Sequence, residues 1–285
     1  MIEHRAPQGS QEWKKCRAGA ITASRFQTIL SKVNGLTEQQ AKYVAAINQG
    51  MTPSAAALAA EYKTGPKSKT VDRALAGLPV GEFSDVAKNL AFRLAIERIS
   101  GEPLDEGYTG WQAERGHELE PFARAAHEEQ VQDMVREVGF VTTDDGWFGA
   151  SADGFRTSNG NGCAYKCFLD PEKLRAVLLD GDTSDVIAQC QGGMWLTGAT
   201  EWEFGLYCPA LAPIGREFTL IVIQRDDDYI ESMESVLVEF RELVMHYEAR
   251  LREGATTPPW EDPAPVPAAS SPAPAVSTEI PEASF

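Results

Sequence analysis

The 285-residue chain has no run approaching the roughly 18 consecutive apolar residues that a membrane helix needs. Its opening, MIEHRAPQGSQEW, has no apolar signal core. Both absences predict a cytoplasmic protein with no membrane partner. Cysteine is scarce too. Cys16, Cys163, Cys167, Cys190 and Cys208 are an odd set without a CxxC pair. That argues against a disulfide framework, a zinc site or an iron–sulfur cluster, and predicts reduced, partly buried thiols. GxxxxGK[ST] and GxGxxG are both missing, so no nucleotide-phosphate loop is indicated. No internal repeat is present. Base is also in short supply, 26 Lys and Arg against 42 Asp and Glu, for a net charge of −16. Affinity for nucleic acid rests on clustered Lys and Arg, so the total argues against it. The distribution does not. Arg5, Lys14, Lys15, Arg17, Arg25 and Lys32 fall in one stretch whose sole acid is Glu12, whereas the last 33 residues hold acids and no base. Acid elsewhere would limit nonspecific sticking and speed release from a local basic groove.

What is present reads as an α/β chain. GSQEW opens a helix capped by Ser10, with Trp13 and Cys16 at helical spacing. A loop follows at 19–22, and then a second helix with Ser24 near its start. Residues 39–80 are Ala-rich, helical in places and broken by GMTPS, TGPKSKT and GLPVGE; they form a variable helical insertion. SDVAKNLAFRLAIERISG is a helix from its Ser84 cap to its Gly101 stop, and TGWQAERGHELEPFARAAHEEQ is another. VREVGFVTT, WFGASADGF and CAYKCFL read as strands joined by Asp-Asp-Gly and SNGNG turns. DVIAQCQGGMWLTG is a helix, EWEFGLYCP and EFTLIVIQRD are strands, and YIESMESVLVEFRELVMHYEARLRE is a long amphipathic helix. One domain over 1–253 is expected, with a mixed sheet in its middle, and then a Pro/Ala-rich disordered tail over 254–285.

Asp153 lies at the end of a strand, eleven residues before position 164 and thirteen before Lys166. Side chains alternate on a strand, so 164 and 166 share a face, and a hairpin can bring Asp153 beside them. Acids at 153 and 164 with a lysine at 166 would form a divalent-metal site. The ion activates water and neutralises phosphoryl charge, and the ammonium adds to both effects. Position 164, however, is alanine. A surface turn at SADG with an exposed Lys166 accounts for these residues as well.

Four motifs in order extend the pattern: GSQEWKKCRAGAITASR, RGHELEPFAR, GASADGF…GNGCAYKC and QCQGGMWLTGA. On these the chain resembles the lambda-exonuclease and YqaJ-like phage recombination exonucleases of the PD-(D/E)XK superfamily, over roughly residues 8–250 and most weakly over 39–80. The resemblance implies a restriction-endonuclease-like core, a central mixed β-sheet flanked by helices. It makes Asp153 a metal ligand, Ala164 the place of a missing metal-binding glutamate, Tyr165 a backbone-carbonyl ligand, Lys166 the catalytic lysine and Glu120 a helix glutamate of the same site. Gln189 and Gln191 match a helix pair, with Gln189 expected nearer the scissile phosphate. Arg17, Ser24 and Ser151 match residues that grip a 5′-phosphate. A further family acid aligns near Thr143, with Asp144 and Asp145 both candidates. Trp13 is expected to pack rather than stack on a base.

The activity implied is 5′-to-3′ digestion of double-stranded DNA ends with Mg²⁺, which Mn²⁺ can replace. It leaves 3′ single strands for a single-strand annealing protein, and the enzyme would be a ring-shaped homotrimer. This copy should bind ends and cut poorly. Asp153, Lys166, Glu120 and Gln189 all remain, so the lone Ala164 looks like a deliberate knock-out rather than natural drift. The alternative is a naturally inactive DNA-end-binding module that recruits a recombination partner. His117 and His127 share no metal-ligand spacing, and His4 and His246 stand alone. Glu114 and Glu118 read as a solvated helix face, and RDDDY at 225–229 as a solvated turn.

Overall fold

A three-residue strand, β1 (Ile2–His4), leads into α1 (Gln11–Arg17), where the Ser10 side chain accepts the Trp13 N–H as the sequence requires of a cap. Next come β2 (Ile21–Thr22) and α2 (Ala23–Leu30). The loop expected at 19–22 is thus partly strand, because Ile21 and Thr22 pair in parallel with a later strand. The Ala-rich stretch forms α3 (Glu38–Asn48), α4 (Pro53–Ala59) and α5 (Lys69–Leu75), packed around their own cluster of Tyr43, Val44, Ala56, Ala60 and Val71. Helix α6 (Asp85–Ser100) starts on a Ser84 cap and ends at Gly101 in the left-handed region, φ 70°. Helix α7 (Trp111–Val131) follows.

The strands come next: β3 (Val135–Arg136), β4 (Phe140–Thr142), β5 (Phe148–Ala150), β6 (Gly154–Arg156) and β7 (Gly162–Lys166). Then come α8 (Pro171–Leu178), α9 (Ser184–Thr197), β8 (Glu201–Tyr207), a 3₁₀ turn over Pro209–Ile214, β9 (Phe218–Gln224) and α10 (Asp227–Glu253). This computed structural model describes residues 1–78, 80–104, 111–167 and 170–253. Phe168 and the tail expected over 254–285 lie outside the described residues. Among the described residues no helix is long and apolar enough to cross a membrane.

The single mixed sheet expected from the strand pattern is two sheets. One has the order β1-β4-β5-β2 and the other β3-β6-β7-β8-β9; each is mixed, with β2–β5 and β7–β8 parallel and the remaining pairs antiparallel. The chain leaves one sheet at Ala150 and enters the other at Gly154, so Ser151, Ala152 and Asp153 form the joint between them. Both edges of β5 are already taken, by β2 and β4, so β6 has to pair elsewhere.

Side chains alternate across β7 as a pleated strand demands. Cys163 and Tyr165 face α7, in a cluster with Ala123 and Val135. Ala164 faces α9 and packs with Val186, Cys190, Met194 and Phe204. Helices α2 and α9 pack on the first sheet, and α6 and α10 pack against them. The apolar stripe of α10 (Met233, Leu237, Phe240, Val244) is wholly buried there. Each such side chain contributes about 1.5–3 kcal/mol by leaving water.

Candidate active site

Asp153 is held at the joint by two bonds to β7. Its N–H donates to the Cys163 carbonyl at 2.9 Å, and its Oδ2 accepts the Tyr165 N–H at 2.5 Å. Gly154 pairs with Cys163, so the aspartate stands opposite position 164. Lys166 ends β7, partly buried and without an ion pair among the described residues. Glu120 approaches from α7, its Oε1 accepting from Arg124 Nη2 at 3.2 Å.

Electrostatics ties these groups into one site. Burial pushes the Asp153 carboxyl above its ordinary value, against the opposing pull of Lys166 and the Tyr165 N–H. Burial, followed by the negative charge of Asp153, pushes Glu120 up to about 7 despite Arg124. A buried carboxyl whose charge raises the pKa of a second one marks a site short of positive charge. Hard divalent cations satisfy that donor set. At position 164 the structure offers only a methyl, 2 % exposed and enclosed by apolar side chains.

The two glutamines part company. Gln191 is buried and fully engaged: its Nε2 donates to the Gln224 carbonyl at 2.8 Å, and its Oε1 accepts the Asp226 N–H at 3.1 Å. Gln189 is partly exposed, and its side chain makes no hydrogen bond among the described residues. At 100° per residue it lies on the strip of α9 between Gly192, which abuts Phe26 of α2, and Val186 on the sheet side. It therefore faces the seam between α2 and the second sheet.

Of the residues expected at a 5′-phosphate, Ser24 and Ser151 lie at one end of the first sheet. Strands β2 and β5 are parallel, with Thr22 opposite Gly149, so Ser24 and Ser151 lie just past the same end of their strands. Ser24 is exposed in the first turn of α2, its Oγ 3.3 Å from Thr22 Oγ1; the Thr22 cap accepts no helix N–H, so the first N–H groups stay available. The Ser151 Oγ is buried and has no hydrogen-bond partner among the described residues. Arg17, the last residue of α1, lies 4.0 Å over the Trp13 ring and 5.8 Å from that of Phe140. Trp13 packs, as expected, and its Nε1 donates to the Gly139 carbonyl at 2.9 Å. The basic N-terminal stretch is partly neutralised, since Lys15 pairs with Glu102 and Lys32 with Glu239, each at 2.5 Å.

Asp144 and Asp145 do not join this site. Asp144 pairs with the N-terminal ammonium at 2.6 Å. Asp145 accepts from Thr143 Oγ1 and the Trp147 N–H, with Arg241 as a further neighbour, and is held below its ordinary value. Both belong to the β4–β5 turn. The RDDDY run is likewise structural: Asp226 Oδ1 accepts the Tyr229 N–H, and Arg225 donates to the Met194 carbonyl.

Sequence spacing missed one cluster altogether. His127 is fully buried; its Nδ1 lies 2.9 Å from Tyr165 Oη and its Nε2 2.9 Å from Glu203 Oε2. With Cys163, the ligand atoms of His127 and Glu203 fall within 4.8 Å of one another, a set of types that can hold a metal. Two observations favour a polar network instead. The other Glu203 oxygen already accepts from Arg156 (3.0 Å) and Asn161 (3.2 Å), and burial pushes the Cys163 thiol up to about 12. Burial opposes the Glu203 carboxylate too, yet His127, Asn161 and Arg156 together hold it below its ordinary value. The network locks α7 onto β7 and β8, and so fixes the helix that carries Glu120. An acid between Trp202 and Phe204 in a buried strand was the one available sign of it.

An α/β core of mixed sheets between helices, with paired acids and a lysine at a strand joint, is the PD-(D/E)XK class of architecture. Residues 12–200 match the YqaJ-like viral recombinase domain, and the chain belongs to that family. Among solved structures it is similar to an alkaline exonuclease, LHK-Exo, from Laribacter hongkongensis. The TM-score is 0.57 at 24% identity, over 86% of this chain and 97% of that one. LHK-Exo in complex with dAMP gives a TM-score of 0.59 at 23% identity over the same shares. At these identities the likeness establishes the fold. No curated protein matches the chain.

Proposed function

We propose that the chain derives from a Mg²⁺-dependent exonuclease that digests double-stranded DNA ends 5′ to 3′, with Mn²⁺ able to replace Mg²⁺. The 3′ strands it exposes would pass to a single-strand annealing protein. The working form would be a cytoplasmic homotrimer. Family membership and the exonuclease named among the similar structures support this reading. The observation that carries it is the pair of buried acids Asp153 and Glu120 with Lys166, together with the unpartnered Ser151 Oγ beyond the strand that leads into Asp153.

Asp153, Glu120 and the Tyr165 carbonyl would hold the metal, which supplies charge neutralisation at the scissile phosphate and an activated water. Lys166 adds a cation to the same phosphate. Gln189, on the seam between α2 and the sheet, would orient the nucleophile or the phosphate. Arg17, Ser24 and Ser151 would hold the 5′-phosphate of the strand being shortened. Ala164 leaves the metal one carboxylate short, so this copy binds ends and turns over poorly.

The second reading is a naturally inactive end-binding module. The close apolar packing around the Ala164 methyl favours it, because the neighbourhood accommodates the loss. Ala164→Glu with Mg²⁺ on linear duplex decides between them. Restored digestion of 5′-phosphorylated ends, with a covalently closed circle left intact, is expected of the exonuclease. No digestion of either substrate by the folded variant would defeat it, and cutting of the circle would make the parent an endonuclease.

A further inference from the structure

Gly19 sits two residues after Arg17 and five before Ser24, and two consecutive residues of α6 hold both sides of it. Its N–H donates to Glu97 Oε2 at 2.9 Å, and its carbonyl accepts from Arg98 Nη1 at 3.3 Å. Glu97 is 5 % exposed, and its other oxygen accepts from Arg93 Nε at 2.9 Å and the Leu104 N–H at 3.1 Å. Arg98 in turn lies 3.5 Å over the Trp147 ring, and the Trp147 carbonyl accepts the Ile21 N–H at the start of β2. Gly19 has φ 72°, and a Cβ there would stand 2.5 Å from Arg98 Cγ and 3.2 Å from the Arg98 backbone nitrogen. The position is left-handed and closed to a side chain.

A buried carboxylate is costly unless its lone pairs are used, and here three N–H donors use them. Two of these donors, Arg93 and Leu104, belong to α6 itself and to the chain just beyond it. The third is the backbone of a loop with no regular structure of its own. That loop links the helix ending in Arg17 to the strand and helix that present Thr22 and Ser24. Fixing Gly19 in space therefore fixes the distance between the arginine and the α2 N-terminus.

We infer that Glu97, with Arg98, is a positioning residue for end recognition: it sets the loop that spaces Arg17 from the α2 N-terminus, and so sets the preference for a 5′-phosphate over a 5′-hydroxyl. The inference rests on the phosphate role given above to Arg17, Ser24 and Ser151. Glu97 itself never meets the DNA. Because binding alone reads it out, the chain can be tested as it stands, with Ala164 in place.

Fluorescence anisotropy would measure the affinity of the full chain for two duplexes that differ only in 5′-phosphate or 5′-hydroxyl, in EDTA. The unaltered chain should prefer the phosphate. Glu97→Gln replaces one acceptor with a donor facing the Gly19 N–H, and Gly19→Ala attacks the same contact from the other side. Both should lower the preference by about tenfold, the scale on which misplaced polar groups lose binding. Val244→Ala, a core truncation on α10, should lower Tm without moving the ratio. A folded Glu97→Gln whose ratio stays within about twofold of the unaltered chain overturns the inference. If Glu97→Gln does not fold, an unmoved ratio in Gly19→Ala overturns it as well. A parent chain with no phosphate preference refutes the phosphate reading itself.

Discussion

Glu120→Gln tests the electrostatics of the site without any need for turnover. Burial and the Asp153 charge raise the Glu120 carboxyl from its ordinary 4.5 to about 7. A carboxyl whose folded pKa is raised binds its proton longer in the folded state than in the unfolded one. Its contribution is therefore complete below pH 4.5, is lost as the pH rises from there to about 7, and is absent above that. At about 1.4 kcal/mol for each pH unit, the loss is about 3 kcal/mol. The side chain is 22 % exposed and paired with Arg124, so this is an upper figure. Glutamine has the same shape and no charge to bury. Urea unfolding in EDTA, followed by tryptophan fluorescence, should show the unaltered chain losing about 2–3 kcal/mol between pH 4.5 and pH 8 on account of this group. Glu120→Gln should lack that part of the slope and be the more stable protein at pH 8. Millimolar Mg²⁺ should stabilise the unaltered chain at pH 8 and do so less for the variant, since a ligand stabilises only the state that binds it. If the two pH profiles run parallel in EDTA, Glu120 and Asp153 do not share a site, and the metal-site reading loses its main support.

Two further outcomes are expected. Arg17→Ala should weaken the preference for 5′-phosphorylated over 5′-hydroxyl ends in the same anisotropy assay, and an unchanged ratio would remove Arg17 from that role. Glu203→Ala leaves the Arg156 guanidinium short of a buried partner and strips His127 of its neighbour at 2.9 Å, so chemical denaturation should show a loss of about 3–5 kcal/mol. A loss under about 1 kcal/mol would show the network to be solvated rather than buried.

Much of the local structure was legible before any coordinate. Ser10 and Ser84 cap their helices and Gly101 stops one, because capping is chemistry between residues three or four apart. The stripe Met233, Leu237, Phe240, Val244 declared α10 by its period alone. The two-residue alternation of β7 assigned Cys163 and Tyr165 to one face and Ala164 to the other. Elements held by distant partners were not legible. Strand β1 has three residues and exists only because it pairs with β4, some 138 residues away in sequence, and β2 has two and exists only beside β5. A pattern that short carries no period.

The sequence by itself supplied the candidate site residues and their order: Glu120, Asp153, the alanine at 164, Lys166, and the QCQ run on a helix. Residue type and spacing can place Asp153 beside Lys166 because both lie on one hairpin, and the four ordered motifs add Glu120 and Gln189. Tertiary structure alone decided the rest. It split one expected sheet into two and put Asp153 at the joint between them. It buried Gln191 against β9 and left Gln189, the one already expected nearer the phosphate, partly exposed, and it placed Asp144 and Asp145 in a turn. It also raised Glu120 to about 7, because a pKa depends on what surrounds a carboxyl in three dimensions and not on its neighbours in the chain.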